Sequence, residues 1–336
     1  MAGSFPSLIN QNMTEFELIN FLTKDVARQA PNLAQGVGDD CAVFVEGKQD
    51  WLITSDMLLE EIHFDLSFTS FYLLGRKSLS VNLSDIAAMG GEPSFFTMNI
   101  GIPSYVSLEQ IKELYQGLLE AAQDAGVILV GGDTSQSKKG LVISITMLGK
   151  VSSKGAILRK GAKPGDLIYV TGNLGSAALG LKCFQAGKIE AKTKPFLEKF
   201  NNPKPCLAVG KWLGENKLAT AMIDISDGLL ADLGHIVSNS QVGYELQAEN
   251  IPLLADFNNI AQELKVDPWE LALTGGEDYE LVFTVSPGNQ AIVEKNSLEF
   301  KITMIGKIVK DSKQQLILDK NGKGLVLNKK GYDHFG

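Results

Sequence analysis

The alternation of hydrophobic and polar positions predicts a chain in which helices and strands follow one another throughout. Thr14 and Glu17 have the spacing of a helix capping box, and apolar residues recur at helical intervals after them. Further helices are predicted at Tyr72–Met89, Leu108–Asp124, Ser176–Ala186, Pro205–Gly214 and Gly228–Val237. Strands are predicted at Cys41–Val45, Trp51–Thr54, Phe95–Ile100, Val127–Val130, Leu141–Leu148, Leu167–Val170, Ala221–Asp224 and Tyr279–Val285, followed by a strand-rich tail. Because helices and strands alternate, each half of the chain should be α/β or α+β.

A segment near the middle of the chain has the composition of a domain junction. Residues 151–166 are rich in Gly, Ser and Lys and contain Pro164, which is typical of a loop. A chain of 336 residues is long enough for two domains of roughly 100–200 residues each. We therefore predict an N-terminal α/β domain at 1–150 and a C-terminal α+β domain at 151–336.

Composition and charge narrow the class of protein. Hydrophobic residues make up 44% of the chain and charged residues 21%, which is ordinary for a globular protein. The net charge of −8 disfavours a nucleic-acid partner, because phosphate backbones repel acidic surfaces. The three cysteines, without C-x-x-C spacing, disfavour zinc and disulfides. No signal-peptide pattern or apolar run of ~18 residues is present, so we expect a cytoplasmic protein without a membrane partner.

The chemistry suggested by the sequence lies in acidic segments flanked by Gly or placed at predicted strand ends. They are Gly36–Asp40, Thr54–Asp56, Gly131–Thr134 and Asp224–Gly228, with Ser84-Asp85 on the first long helix and Gly275–Asp278 further on. Carboxylates at strand ends face the crevices in which α/β proteins bind ligands. Acids clustered without bases repel one another, and Mg²⁺ together with phosphate relieves that repulsion. Any one of these segments alone is more often an ordinary turn, but the set predicts a metal-bridged polyphosphate site.

The most specific of these segments is Asp224–Gly228, between a predicted strand and a predicted helix. Ser226 or Asp227 is expected to cap the helix, which leaves free N–H groups that favour a phosphate. Asp224 and Asp227 would bring a metal to the same phosphate. Helix capping without a ligand is the alternative interpretation.

Other nucleotide and catalytic motifs are absent, and three further residues have weaker signals. The chain lacks the P-loop, the protein-kinase motifs and the third glycine of the dinucleotide fingerprint. His63 is a candidate phosphate contact, although a single His is more often structural. Arg159 is a candidate phosphate clamp or a solvated loop cation. Tyr332 and Phe335 could stack on an aromatic ring or simply dock the tail.

Taken together, the motifs resemble those of the thiamine-monophosphate kinases. The matching segments are GVGDDCA (36–42), TSD (54–56), NLSDIAAMG (82–90), GGDT (131–134), GAKPGDLIYVTG (161–172), IDISDGL (223–229), GGEDYEL (275–281) and GYDHF (331–335). The resemblance extends from Gly36 to the end of the chain. It implies the aminoimidazole-ribotide-synthetase-like fold, in which an N-terminal α/β domain forms a homodimer and an α+β domain follows. It also implies transfer of phosphate from ATP to thiamine monophosphate, with several Mg²⁺ ions and without a covalent nucleophile.

The resemblance also implies roles for individual residues. The positions that match Mg²⁺ ligands are Asp40, Thr54, Ser55, Asp56, Asp85, Asp133, Asp224 and Asp227. The positions that match ATP contacts are Tyr115, Gly132, Asp133, Arg159 and Ser226. The positions that match substrate contacts are His63, Glu277 and Tyr332. Asp39 is a plausible outer partner of Asp40, and nothing is assigned to residues 181–202.

Two alternatives to this activity remain open. The first alternative is another enzyme of the superfamily. The selenophosphate synthetases have a reactive N-terminal Cys or Sec, which has no counterpart before Cys41 in this sequence. The hydrogenase-maturation relatives end in Cys, whereas this sequence ends in Gly336. A non-catalytic protein that binds nucleotide or metal in the same fold is the other alternative.

Overall fold

The computed structural model describes residues 14–24, 30–47, 49–151, 155–327 and 331–332. The helices are α1 (Glu15–Thr23), α2 (Phe71–Ala88), α3 (Leu108–Ala125), α4 (Ser176–Gln185), α5 (Lys194–Asn201), α6 (Leu207–Glu215), α7 (Leu229–Ser240), α8 (Phe257–Leu264), α9 (Pro268–Thr274), α10 (Gln290–Lys295) and α11 (Ser297–Phe300). The strands are β1 (Leu33–Gln35), β2 (Ala42–Glu46), β3 (Gln49–Leu59), β4 (Glu92–Ile102), β5 (Ile128–Gln136), β6 (Val142–Val151), β7 (Leu167–Thr171), β8 (Ala219–Ile225), β9 (Gly243–Gln247), β10 (Glu280–Val285), β11 (Ile302–Val309) and β12 (Gln315–Leu318). The capping box predicted at Thr14 and Glu17 is present at the start of α1. No helix among the described residues is both long enough and apolar enough to span a bilayer.

The first sheet has the strand order β1-β2-β3-β6-β4-β5. Strands β4 and β5 are parallel, and the other neighbours are antiparallel. A parallel pair needs a long crossover connection, which α3 supplies here. This sheet with α2 and α3 is called the N-terminal unit below.

One face of the first sheet is covered by helices and the other is not. Alternate strand residues such as Leu52, Met98 and Ile145 are buried with Leu79 of α2 and Leu114 of α3. The residues between them point to the opposite face, where apolar side chains of β4 and β5 remain exposed. These exposed side chains include Phe95, Ile128 and Val130.

The second sheet has the order β12-β9-β11-β7-β10-β8 and is antiparallel except for β12 with β9. This sheet with α4 to α11 is called the C-terminal unit. Its main core combines strand residues such as Val170 and Ile223 with helix residues such as Leu233. The predicted two-part α/β and α+β fold class is confirmed.

The two units make close backbone contact through α2 and α6. A Cβ atom added at Gly210 of α6 would lie 2.1 Å from the carbonyl oxygen of Ala87 on α2. Ala87, Ala88 and Leu213 share one buried cluster with residues of the second sheet. The small residues at the C-terminal end of α2 therefore allow the helix to pack directly against the C-terminal unit.

Two sequence-based assignments of the acidic segments differ from the structure. Gly131–Thr134 is not a loop but lies within β5, because pairing with β4 continues through Gly132 and Asp133. A Cβ atom at Gly132 would lie 1.9 Å from the carbonyl oxygen of Met98, so this glycine allows close strand approach rather than a turn. Thr54–Asp56 lies in the middle of β3, not at its end, because pairing with β6 extends to Leu59. Residues 181–202, left without a role, contain α5 and the end of α4.

Candidate functional site

A cleft of about 460 Å³ lies between the N-terminal and C-terminal units. Eight of the sequence-predicted site residues line it: Asp56, His63, Asp85, Asp224, Ser226, Asp227, Glu277 and Tyr332. They come from β3, α2, β8, three loops and the segment at 331–332, which are far apart in sequence. The fold therefore brings most of the predicted residues into one place.

Three carboxylates form the centre of the acidic end of this cleft. One ligand oxygen from each of Asp40, Asp85 and Asp224 lies within 4.8 Å of the other two. Asp40 lies two residues before β2, Asp85 lies in the last turn of α2, and Asp224 lies on β8. The hydroxyl of Thr54 donates a hydrogen bond to Asp85, and Ser84 Oγ donates to Asp224 Oδ2 at 2.7 Å. Two hydroxyls therefore orient the carboxylates.

The protein environment opposes ionisation of these acids. Burial, and then the charge of Asp40, raises the pKa of Asp224 to about 8, although the hydrogen bond from Ser84 opposes the shift. Burial followed by the charges of Asp40 and Glu277 raises the pKa of Asp56 to about 6. Burial and the charge of Asp56 also raise the pKa of Asp85 well above its ordinary value. A bound cation would remove this cost, because it favours the charged form of every carboxylate near it.

The acidic cluster has a cationic partner and also unsatisfied oxygens. The Arg159 guanidinium donates to Asp40 Oδ1 at 2.6 Å, and the Arg159 backbone N–H lies 3.3 Å from both carboxylate oxygens of Asp39. Asp40 Oδ2 and Asp56 Oδ2 are buried without hydrogen-bond partners. The atoms of this cluster that could ligate a metal are carboxylate and hydroxyl oxygens, which suit Mg²⁺ better than softer metals. The residues present therefore fit a Mg²⁺ site.

The turn between β8 and α7 is held by hydrogen bonds other than those that the sequence predicts. Neither Ser226 nor Asp227 caps α7, since the N-cap residue is Gly228. Asp232, one turn into the helix, accepts hydrogen bonds from the N–H groups of Ser226, Asp227 and Gly228, each at 3.1 Å. The predicted N-cap is therefore wrong, and the N–H groups of these three residues are occupied by Asp232. The phosphate site expected at the first turn of α7 stays a prediction. The buried carboxylate of Asp232 instead fixes the turn that presents Asp224 and Asp227.

The other end of the cleft combines polar, apolar and aromatic groups. His63 follows β3, and its Nδ1 accepts a hydrogen bond from the Leu59 N–H at 3.0 Å. Glu277 has a φ of +71°, and its N–H donates to the Ser226 carbonyl at 2.7 Å. Tyr332 is held by a hydrogen bond from its N–H to the Asp227 carbonyl at 3.0 Å. The remaining lining includes Ile62, Val81, Leu181, Phe200 and Leu271. These residues suit an organic group larger than a phosphate.

Other predicted residues lie away from this cleft or outside the described residues. The Ser55 hydroxyl bonds to Thr146 on the uncovered face of the first sheet, opposite to Thr54 and Asp56. Asp133 and Gly132 are exposed on β5, and Tyr115 is half-buried on α3. The structure does not bring these four residues to the Asp40 cluster, so their roles stay predictions. Residues 333–335 of the GYDHF motif and residues 152–154 of the predicted junction lie outside the described residues.

Sequence reasoning missed three residues that support the cleft. They are Lys77, Phe200 and Asp232. A signal for Lys77 was present, because it lies at helical spacing on the buried stripe of α2 that contains Leu74 and Val81. Polar residues on an apolar helical stripe indicate buried partners. The positions of Phe200 and Asp232 follow only from tertiary packing.

Comparison with family models places most of the sequence within two known domains. Residues 38–151 match the model described as AIR synthase related protein, N-terminal domain. Residues 163–319 match the corresponding C-terminal domain.

Full-length relatives are similar to this chain. A thiamine-monophosphate kinase from Bacillus subtilis (strain 168) is 35% identical over 333 residues, which cover 96% of this chain and 100% of the relative. A thiamine-monophosphate kinase from Escherichia coli (strain K12) is 35% identical over 329 residues, which cover 96% of this chain and 98% of the relative.

Solved structures are similar to this fold over nearly the same lengths. A structure described as AaThiL complexed with AMPPCP and TMP has a TM-score of 0.85 and 28% identity, and the match covers 98% of this chain and 100% of that one. The thiamine-monophosphate kinase from Stenotrophomonas maltophilia K279a has a TM-score of 0.75 and 30% identity, and the match covers 93% of this chain and 98% of that one.

Proposed function

Because this chain belongs to the thiamine-monophosphate kinases, within the AIR synthase related proteins, we propose that the cleft between its two units is the active site for this reaction. The reaction transfers the terminal phosphoryl group of ATP to the phosphate of thiamine monophosphate. The observation that carries the proposal is the cleft itself. Its lining combines buried carboxylates, two of which belong to a close cluster with Asp40, with apolar and aromatic side chains.

The acidic end would hold Mg²⁺. Asp40, Asp85 and Asp224 are the first ligands we assign, with Asp56 and Asp227 beside them. Thr54, Ser55 and Asp133 are assigned as further ligands on the resemblance alone. Bound Mg²⁺ would neutralise phosphate charge on both substrates. The buried oxygens of Asp40 and Asp56 that lack hydrogen-bond partners support this assignment.

The side chains of the protein position the substrates and do not react with them. A phosphate monoester has a second pKa of about 6 and is already ionised near neutral pH, so the acceptor needs no strong general base. Arg159 Nε is buried without a hydrogen-bond partner and is available for a phosphate oxygen of ATP. We assign Ser226, Gly132, Asp133 and Tyr115 as further ATP contacts on the resemblance alone. Catalysis then rests on orientation and electrostatic stabilisation.

The other end of the cleft would bind the acceptor. His63, Glu277 and Tyr332 line it together with the apolar residues described above. A pocket of this kind would select a phosphorylated organic acceptor with aromatic rings. Thiamine without its phosphate would bind there but would present no acceptor oxygen to the acidic end.

We also propose that the protein is a homodimer formed through the uncovered face of the first sheet. Phe95 and Ile128 are neighbours in the register of β4 and β5, and both are exposed, as is Val130. Strand β5 is at the edge of the sheet, where an unprotected strand invites association. A second copy would cover both the apolar face and this edge.

A reducing compartment suits the cysteines of this chain. Cys41, Cys183 and Cys206 all carry free thiols. This supports a cytoplasmic location, because disulfides are rare in reducing compartments.

The test is an assay of ADP release with ATP and either thiamine monophosphate or thiamine. We expect turnover with the monophosphate, little with thiamine, none in EDTA and recovery with Mg²⁺. Asp56→Asn should lower kcat by at least ~10²-fold, as expected for the loss of one electrostatic stabiliser. Asp50→Asn is the matched control, because Asp50 lies on the same strand away from the cleft. Nucleotide binding without turnover of any acceptor would instead support the non-catalytic alternative, and full activity of Asp56→Asn would refute the assigned site.

A further inference from the structure

Lys77 of α2 is fully buried, which is rare for lysine without a specific partner. Its Nζ lies 2.5 Å from Glu277 Oε2 and donates to the carbonyl oxygen of His63 at 3.1 Å. The same ammonium lies 3.9 Å from the centroid of the Phe200 ring. One buried cation therefore has three well-defined contacts.

The three contacts of Lys77 all line the cleft, and they belong to separate parts of the fold. His63 follows β3 of the N-terminal unit. Phe200 lies on α5 and Glu277 precedes β10, so both belong to the C-terminal unit. Lys77 is therefore a direct link between the two units at the acceptor end of the cleft.

We propose that Lys77 is a positioning residue that fixes Glu277, His63 and Phe200 in the arrangement that binds the acceptor. This inference rests on the proposed function and concerns the acceptor end of the same cleft. Lys77 acts through these three side chains and backbone groups, and it is not assigned a contact with either substrate.

The conformation of Glu277 shows why a partner is needed. Its backbone has a positive φ of +71°, which is costly for a residue other than glycine. The backbone is fixed from the C-terminal unit, because the Glu277 N–H bonds to the Ser226 carbonyl. The carboxylate is fixed from the other side by Lys77. While both attachments hold, the side chain of Glu277 faces the cleft in a single orientation.

The charge of Lys77 has a second consequence. The Glu277 carboxylate lies close enough to Asp56 to raise the pKa of that residue. Without a cation beside it, Glu277 would add negative charge to a cleft that must accept two phosphorylated substrates. Lys77 offsets this charge from a buried position, where screening by solvent is weak.

A purely structural role for Lys77 is the competing interpretation, and the neighbouring residue offers a matched control. Arg76 also joins α2 to the segment of α5, since its Nε donates to Asn202 Oδ1 at 3.2 Å. Arg76 also forms an ion pair with Asp124, and neither Asn202 nor Asp124 is among the described residues that line the cleft. Loss of Arg76 therefore removes a contact between the units but leaves the acceptor end intact.

The experiment compares Lys77→Met, Arg76→Met, Glu277→Gln and the double variant Lys77→Met/Glu277→Gln. The readouts are KM for each substrate, kcat, and the Kd of thiamine monophosphate measured by calorimetry. We expect Lys77→Met to raise KM and Kd for thiamine monophosphate by ~10-fold or more, which corresponds to about 1.4 kcal/mol. KM for ATP should change by less than ~3-fold, and Arg76→Met should leave the ratio of the two KM values unchanged.

The double variant tests whether Lys77 acts through Glu277. If it does, adding Lys77→Met to Glu277→Gln should change the Kd of thiamine monophosphate far less than adding it to the wild type. Lys77→Met alone leaves the Glu277 carboxylate without its cationic partner, and the double variant removes that carboxylate as well. The double variant therefore remains informative if Lys77→Met alone fails to fold. Equal changes in both KM values, or fully additive effects on Kd, would overturn the proposal. Failure of the wild type to turn over thiamine monophosphate would refute the proposed function instead, and the calorimetric comparison would still test Lys77.

Discussion

Replacement of Ser84 by Ala tests whether the acidic cluster is a metal site. Ser84 is fully buried, and its hydroxyl donates to Asp224 Oδ2 at 2.7 Å. A hydrogen bond to a charged group contributes about 1.5–3 kcal/mol, which corresponds to a factor of ~10–150 in affinity. Substitution of a residue that orients a metal ligand typically lowers metal affinity by ~10–100-fold. We therefore expect the Mg²⁺ concentration for half-maximal activity to rise by ~10–100-fold.

The assay is a Mg²⁺ titration of the initial rate at saturating ATP and thiamine monophosphate. The rate at saturating Mg²⁺ should return to within a few-fold of wild type, because Asp224 itself is retained. Ser78→Ala is the matched control, since Ser78 is equally buried on α2 but donates to the Gly75 carbonyl at 3.0 Å. Equal half-saturating Mg²⁺ concentrations for the two variants would refute the assignment of Asp224 as a ligand oriented by Ser84.

Three further predictions follow from other parts of the structure. In light scattering, Ile128→Glu should convert a dimer of twice 36.3 kDa into a monomer. The control Leu298→Glu, at a 95% exposed position, should leave the dimer intact. A wild-type monomer that is fully active would contradict the proposed dimer. The pKa of His235 is lowered to about 4 by burial and then by Arg159, so its contribution to stability is intact above pH ~6.5 and is lost as the pH falls towards 4. The unfolding free energy of the wild type relative to His235→Gln should therefore fall by about 1–2 kcal/mol from pH 7 to pH 5, and a difference independent of pH would contradict this. Kinetics should be sequential without a phosphorylated enzyme, because burial raises the pKa of the Cys41 thiol well above its ordinary value; label from γ-³²P-ATP retained on denatured protein would show a covalent route.

The sequence predicted the parts of the fold whose signals are local. The bounds of α2 and α3 agree with the prediction to within one residue at each end, because helical periodicity and the following glycines mark these helices. The acidic residues were recognised for the same reason, since several carboxylates lie beside glycines or strand ends. Eight of the predicted site residues line one cleft.

Strand lengths and helix capping were predicted less well, since both depend on distant partners. The extension of β5 through Asp133 follows from pairing with β4, about 30 residues earlier in the chain. Ser226 and Asp227 do not cap α7, because the helix begins after Gly228 and the side chain of Asp232 holds the N–H groups of both residues in the preceding turn. Local propensity cannot weigh such competing partners.

The sequence by itself determined the inventory of the site: the oxygen ligands, the glycines and the residues that resemble those of known kinases. Only the tertiary structure decided which of them meet. Asp85 and Asp224 are 139 positions apart, yet they contribute oxygens to one cluster because α2 packs against the C-terminal unit. The same packing buries Lys77 beside Glu277 and orients Ser84 towards Asp224. Burial and long-range contact set the charge and orientation of a side chain, and these depend on residues that are distant in sequence.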